Sequence, residues 1–103
     1  CAQGGTMLDK TNAGPAFKAK FKKRFNLDAD AYAASYYDQT LLIGEAIQKT
    51  QSLDPNKVGA EIYKGSYQGV AGTYAYDENG NLKQAPITVL TFKNAAPTPL
   101  ASY

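Results

Sequence analysis

Apolar and polar positions follow a helical period through the middle of this chain and a strand period toward its end. The longest periodic run extends from Asp30 to Thr50, with no Pro and one Gly. Tyr36, Thr40, Ile43 and Ile47 recur at i, i+4, i+7 and i+11, with Ala33 one turn earlier. Tyr37, Leu41 and Gly44 form a second row beside them. The spacing predicts one helix of roughly five turns over about 30–50, with Tyr36 and Tyr37 in its core-facing side. Asp28 or Asp30 can cap its start, and Lys49 suits its last turn. Upstream, Phe17, Phe21 and Phe25 fall at i, i+4 and i+8 behind Pro15, which predicts a helix over 15–25. Downstream, Asp54-Pro55 is a cap followed by a first-turn proline. Val58 and Ile62 then give a short helix over 55–64 its buried side, and Gly65 is a suitable residue to close it.

Past Gly65 the period changes to two. Val70, Gly72, Tyr74 and Tyr76 alternate with Ala71, Thr73 and Ala75, predicting a strand over about 70–76. Asp77-Glu78-Asn79-Gly80 is a turn sequence, and Pro86 marks a break. From Ile87 to Phe92 both alternating sets are apolar, as in a strand covered on both faces, so a second strand is predicted over 87–94. Residues 1–14 show no period and read as a loop. Residues 95–103, with Pro97 and Pro99, read as an extended, loosely held tail. Asp38 lies off the apolar rows and is expected to face solvent or to bond a neighbouring loop.

The chain has 103 residues, 44% of them hydrophobic and 19% charged, which fits one folded domain and not two. No apolar run approaches the roughly 20 residues of a membrane-spanning helix. No signal-peptide pattern occurs within the 103 residues, so any targeting segment is expected to lie outside them. The net charge of +2 is uneven: residues 1–25 carry six basic side chains against Asp9, and the remainder is net acidic. The basic excess belongs to the helix 15–25. Such a helix can bind anionic lipid or nucleic acid, but no second basic cluster accompanies it. A solvated helix packing its three Phe onto the domain is the simpler reading, and no nucleic-acid partner is expected.

The single Cys, at position 1, and the absence of His remove internal disulfides, Cys-based zinc sites and His-assisted nucleophilic catalysis. A calcium loop starting at Asp77 would need Glu at its twelfth position, which is Thr88. No metal, no cofactor and no enzymatic activity are therefore expected. Cys1 could be the lipidated residue of a mature lipoprotein, although the chain beginning there by chance is the simpler account.

Five phrases in order carry a resemblance. They are Gly14-Pro15-Ala16-Phe17-Lys18-Ala19-Lys20-Phe21, then Asp30-Ala31-Tyr32-Ala33 with Tyr37-Asp38, then Leu53-Asp54-Pro55, then Tyr67-Gln68-Gly69-Val70-Ala71-Gly72, then Tyr76-Asp77-Glu78-Asn79-Gly80. Together, over roughly residues 10–94, they resemble the C-terminal third of a branched-chain amino-acid-type periplasmic binding protein, the solute receptor of an ABC importer. The resemblance implies an α/β fold of two lobes with ligand held between them. Residues 1–83 would belong to the N-terminal lobe, Gln84, Ala85 and Pro86 would form a hinge crossover, and 87–94 a strand of the second lobe. Cys1 would then lie well inside the full-length chain, away from any lipidation site.

The resemblance also implies an aromatic wall residue at the start of the long helix, which here is Tyr32, closing over the ligand side chain. The implied partners are an amino acid, branched-chain or related, and a membrane permease; the implied location is periplasmic. Two other readings stay open: a ligand-sensing regulatory domain of the same fold, and a stand-alone interaction module using the basic helix. Three helices facing two strands leave apolar surface uncovered. The chain is accordingly expected to be a fragment that needs the rest of its own chain or pairs with copies of itself.

Overall fold

A computed structural model describes all of residues 1–103. Three helices are present: α1 Gly14–Phe25, α2 Ala31–Thr50 and α3 Pro55–Lys64. Their ends are set locally. The Asp30 carboxylate accepts from the Ala33 N–H at 2.7 Å, and Asp54 accepts from the Asn56 N–H at 2.9 Å. Each thus satisfies a helix-end donor that has no partner within the helix. Asn26 and Gln51 take left-handed conformations, φ 53° and 52°, and turn the chain out of α1 and α2. Gly65 ends α3 in an extended conformation, so its missing Cβ is not what stops that helix.

The strands are β1 Ala2–Gly4, β2 Tyr67–Gln68, β3 Thr73–Tyr74, β4 Ile87–Lys93 and β5 Ala96–Ser102. They form a three-stranded sheet in the order β1-β4-β5 and a separate β2-β3 hairpin, all antiparallel. Three expectations are corrected here. Residues 1–14 are not wholly loop, because Ala2–Gly4 pairs with Ile87–Val89 across the chain's full length. That partner is too distant for the local pattern to announce it. Residues 95–103 are not loosely held, because Asn94 and Ala95, at φ 50° and 62°, turn the chain back so that Ala96–Ser102 pairs with β4. Pro97 and Pro99 are tolerated because β5 is an edge strand. The predicted strand over 70–76 shrinks to Thr73–Tyr74 and an isolated bridge from Tyr76 to Leu82. Residues 69–72 instead bend into a turn closed by Gly69 N–H to Gly72 C=O at 2.8 Å.

The helix faces also differ from the expected ones. On α2 the buried row is Ala34, Asp38 and Ala46, while Tyr36 and Tyr37 are exposed. Phe17 stacks on Tyr37 with ring centroids 5.1 Å apart, but Phe25 at the other end of the stripe is open to solvent. On β4, Thr88 and Leu90 are buried, but Ile87 and Phe92 are exposed, because no layer covers either face of the sheet completely.

Two bodies result. One is the three helices with β2-β3; the other is the β1-β4-β5 sheet. Two extended segments side by side, Gly4–Thr6 and Gln84–Ile87, join them. They are held together by Gly5 N–H to Pro86 C=O at 2.7 Å and by the Thr88 hydroxyl to Gly5 C=O at 2.8 Å. The surface measures 7464 Å², whereas a compact monomer of this mass exposes about 5,700 Å². The radius of gyration is 15.5 Å against about 13 Å for a compact domain of this length. The excess surface carries Tyr36, Tyr37, Leu41, Ile43 and Phe92.

Such apolar surface drives association. The 103-residue chain on its own is expected to bind the dye ANS and, in size-exclusion chromatography with light scattering, to gain mass as concentration rises. A concentration-independent mass of 11.1 kDa with a radius of gyration near 13 Å would contradict this.

Candidate functional site

The geometry of the region between the two bodies starts from one buried carboxylate. Asp38 is 1% exposed. Burying a carboxylate is costly unless donors replace its water. Here Oδ1 accepts from the Val70 N–H at 2.7 Å, and Oδ2 accepts from the Ala71 N–H at 2.9 Å and the Tyr74 hydroxyl at 3.0 Å. A Cβ at position 69 would overlap the Asp38 carboxylate, so Gly69 allows the loop to approach this closely. Burial, then the hydrogen bond and charge of Asp38, push the Tyr74 hydroxyl up to about 12. The Tyr67 hydroxyl moves in the same direction, by burial first and the Asp38 charge second.

The loop that Asp38 fixes forms one wall of the largest cleft, about 770 Å³. Ala71–Tyr74 make that wall, Ser35 and Gln39 of α2 extend it, and the joining segments 4–6 and 84–87 face it, with Leu82 and Tyr103 at the margins. No Asp, Glu, Lys, Arg or Cys side chain lines the cleft. Its polar groups are hydroxyls, carboxamides and backbone amides set among apolar carbon. Such a cleft can hold a small solute by shape and neutral hydrogen bonds. It contains no group that titrates near neutral pH to move protons.

Gln84, Ala85 and Pro86 all line the cleft. They run without strand pairing of their own between Leu82 and β4. Tyr32 does not line it. It stands 74% exposed in the first turn of α2, three residues before Ser35 and so on a neighbouring helix row. The structure therefore brings the three crossover residues together and leaves Tyr32 beside them. Ser35, Gln39 and segment 4–6 escaped sequence reasoning because small polar residues and glycines carry no periodic signal. Asp38 lay inside a quoted phrase, and of its two expected settings it takes the loop-bonded one, fully buried.

Away from the cleft, Asp77 closes the turn behind the Tyr76–Leu82 bridge. Its Oδ1 accepts from the Asn79 and Asn81 N–H groups, both at 2.9 Å. The Asn81 amide, then that of Asn79, holds its carboxyl below the usual carboxylate range. On α1 the basic surface is partly neutralised, with Lys18 paired to Asp9 at 2.7 Å and Lys22 to Asp28 at 3.2 Å. No helix is long and apolar enough to cross a membrane.

No family model matches the sequence. The fold, however, is similar to solved structures of ABC-type substrate-binding proteins. A leucine-binding protein from Thermotoga maritima superposes with a TM-score of 0.81 at 21% identity, over 98% of this chain and 29% of that one. An ABC transporter substrate-binding protein from Desulfitobacterium hafniense, solved in complex with Leu, gives 0.76 at 20% identity, over 96% and 30%. A solute-binding protein from Rhodopseudomonas palustris, solved with 3,4-dihydroxybenzoic acid, gives 0.70 at 20% identity, over 91% and 27%. The chain thus spans about three-tenths of the length of these structures, and what it shares with them is the α/β fold of a portion of a two-lobe periplasmic binding protein.

Two outcomes test the Asp38 clamp. Asp38→Ala strands two backbone donors and the Tyr74 hydroxyl, and is expected to cost about 3 kcal/mol or more in chemical denaturation, with Gly69→Ala destabilising in the same sense. Tyr74 ionises near 10 when unfolded but only at about 12 when folded. Its neutral form is favoured by folding, so that contribution is complete below pH 10 and disappears as pH rises toward 12. Thermal melts from pH 8 to 12 should fall less steeply for Tyr74→Phe than for the unmodified chain.

Proposed function

We propose that this chain is part of an extracytoplasmic solute receptor that delivers an amino acid, branched-chain or related, to the permease of an ABC importer. The observation that carries this reading is the superposition of 98% of the chain on a leucine-binding protein at a TM-score of 0.81. The build of the cleft supports it. The cleft lies between two bodies joined only by paired extended segments, its lining is uncharged, and its wall is clamped from behind. These features suit reversible capture of a small solute and supply no covalent chemistry.

In this reading the sheet β1-β4-β5 belongs to one lobe and the helical body to the other. Residues 84–86 absorb the dihedral change as the lobes close, with Pro86 restricting the path of the preceding residue. Solute bound between the lobes favours the closed arrangement, which the permease recognises. Tyr32 swings over the solute side chain from the start of α2, offering a broad apolar face and a hydroxyl at low entropic cost. Its present exposure leaves it free to do so. Burial of an aliphatic side chain there contributes about 25 cal/mol per Å².

The test is Tyr32→Ala in the full-length receptor, titrated calorimetrically with leucine, isoleucine and valine. Loss of the aromatic wall should weaken the bound amino acid about tenfold or more, the order expected for a buried aromatic contact. Unchanged affinity for every amino acid that binds would remove Tyr32 from the site.

A further inference from the structure

Five hydrogen-bonding side chains converge on the cleft: Thr6, Ser35, Gln39, Thr73 and Gln84. Thr6, Gln39, Thr73 and Gln84 make no side-chain hydrogen bond elsewhere in the chain, and both glutamines are exposed. Their donors and acceptors are therefore available to a ligand without breaking a bond of the fold. No charged side chain joins them. The one carboxylate behind the wall, Asp38, is fully used by Val70, Ala71 and Tyr74. An ionised ligand group entering here would lose water and meet no counter-charge, which is unfavourable. A purely aliphatic group would displace water from the carboxamides and return no hydrogen bond.

From this we infer that the wall selects a neutral, hydrogen-bonding side chain, a carboxamide or hydroxyl, and that Gln39 and Gln84 are its specificity-determining residues. The inference rests on the receptor reading above and narrows its solute from the branched-chain class to related amino acids with uncharged polar side chains. Gln39 projects from α2, whose position Asp38 fixes, and Gln84 projects from the joining segment opposite. The two carboxamides approach the solute from different bodies. Each can both donate and accept, so they match an amide or hydroxyl in either orientation. A solute bridging them would also hold the two bodies together, linking selection to closure.

Leucine, asparagine and aspartate are nearly isosteric and differ in the property at issue. Calorimetric titration of the full-length receptor with each L-amino acid should give the order asparagine, leucine, aspartate, with asparagine at least tenfold tighter than aspartate. Gln39→Leu should weaken asparagine about fivefold to tenfold, the worth of one neutral hydrogen bond, while strengthening leucine. A variant that merely loosened the fold would weaken all three together. Aspartate or leucine binding as tightly as asparagine, or an equal loss of all three in Gln39→Leu, overturns the specificity inference while leaving the receptor reading intact. Failure of every amino acid to bind overturns the receptor reading, and the inference with it.

Discussion

The Asp38 carboxylate is the constraint on which the rest of this molecule depends. It sits on the buried row of α2 and draws in the backbone of Val70 and Ala71 and the hydroxyl of Tyr74, residues more than thirty positions away. A charge so completely removed from water persists only where donors surround it. The 69–74 segment therefore has little choice of conformation once α2 is formed. The turn at Gly69–Gly72, the brevity of β2 and β3 and the line of the cleft wall all follow from this contact. The three-stranded sheet, by contrast, shares no such anchor with the helical body.

That difference accounts for the outline of the molecule. Within each body the packing and pairing are regular, but between them run only the segments 4–6 and 84–87. Their mutual bonds, Gly5 to Pro86 and Thr88 to Gly5, keep the two segments in step. They do not weld the sheet to the helices. An arrangement in which two stiff bodies share a narrow joint changes its angle more easily than its internal structure. The same thinness leaves Tyr36, Ile43 and Phe92 uncovered. The surface that stability would bury is left available for contacts with other parts of a larger assembly.

The solved structures with this fold include one in complex with leucine and one with a dihydroxybenzoic acid. A common backbone thus accommodates solutes of different chemistry, and the side chains of the wall decide among them. In this chain the wall is neutral, and its carboxamides come from opposite sides of the cleft. The electrostatic character of the site follows from which residues are absent from the lining as much as from which are present. Asp38, although close in sequence to Ser35 and Gln39, takes no part in it, because its charge is turned inward and matched.

The sequence by itself determined the three helices, because their signals are short-range. Asp30 and Asp54 cap within three residues, Pro15 and Pro55 sit in first turns, and the apolar period repeats every turn. The Asp77–Gly80 turn was legible for the same reason. Only the tertiary structure decided which helix face is buried. The larger apolar row of α2, with Tyr36 and Ile43, lies exposed, while the row with Ala34, Asp38 and Ala46 is inside. A period reveals that a face exists, but the partner chooses the face, and the partner of Asp38 is a loop with no periodic signal. Strand pairing was decided in the same way. Ala2–Gly4 and Ala96–Ser102 have no strand pattern of their own and are strands because β4 lies between them to supply hydrogen bonds. The cleft was legible only as the crossover residues 84–86. Its other walls come from five separated stretches of chain, and their convergence is a property of the fold in three dimensions.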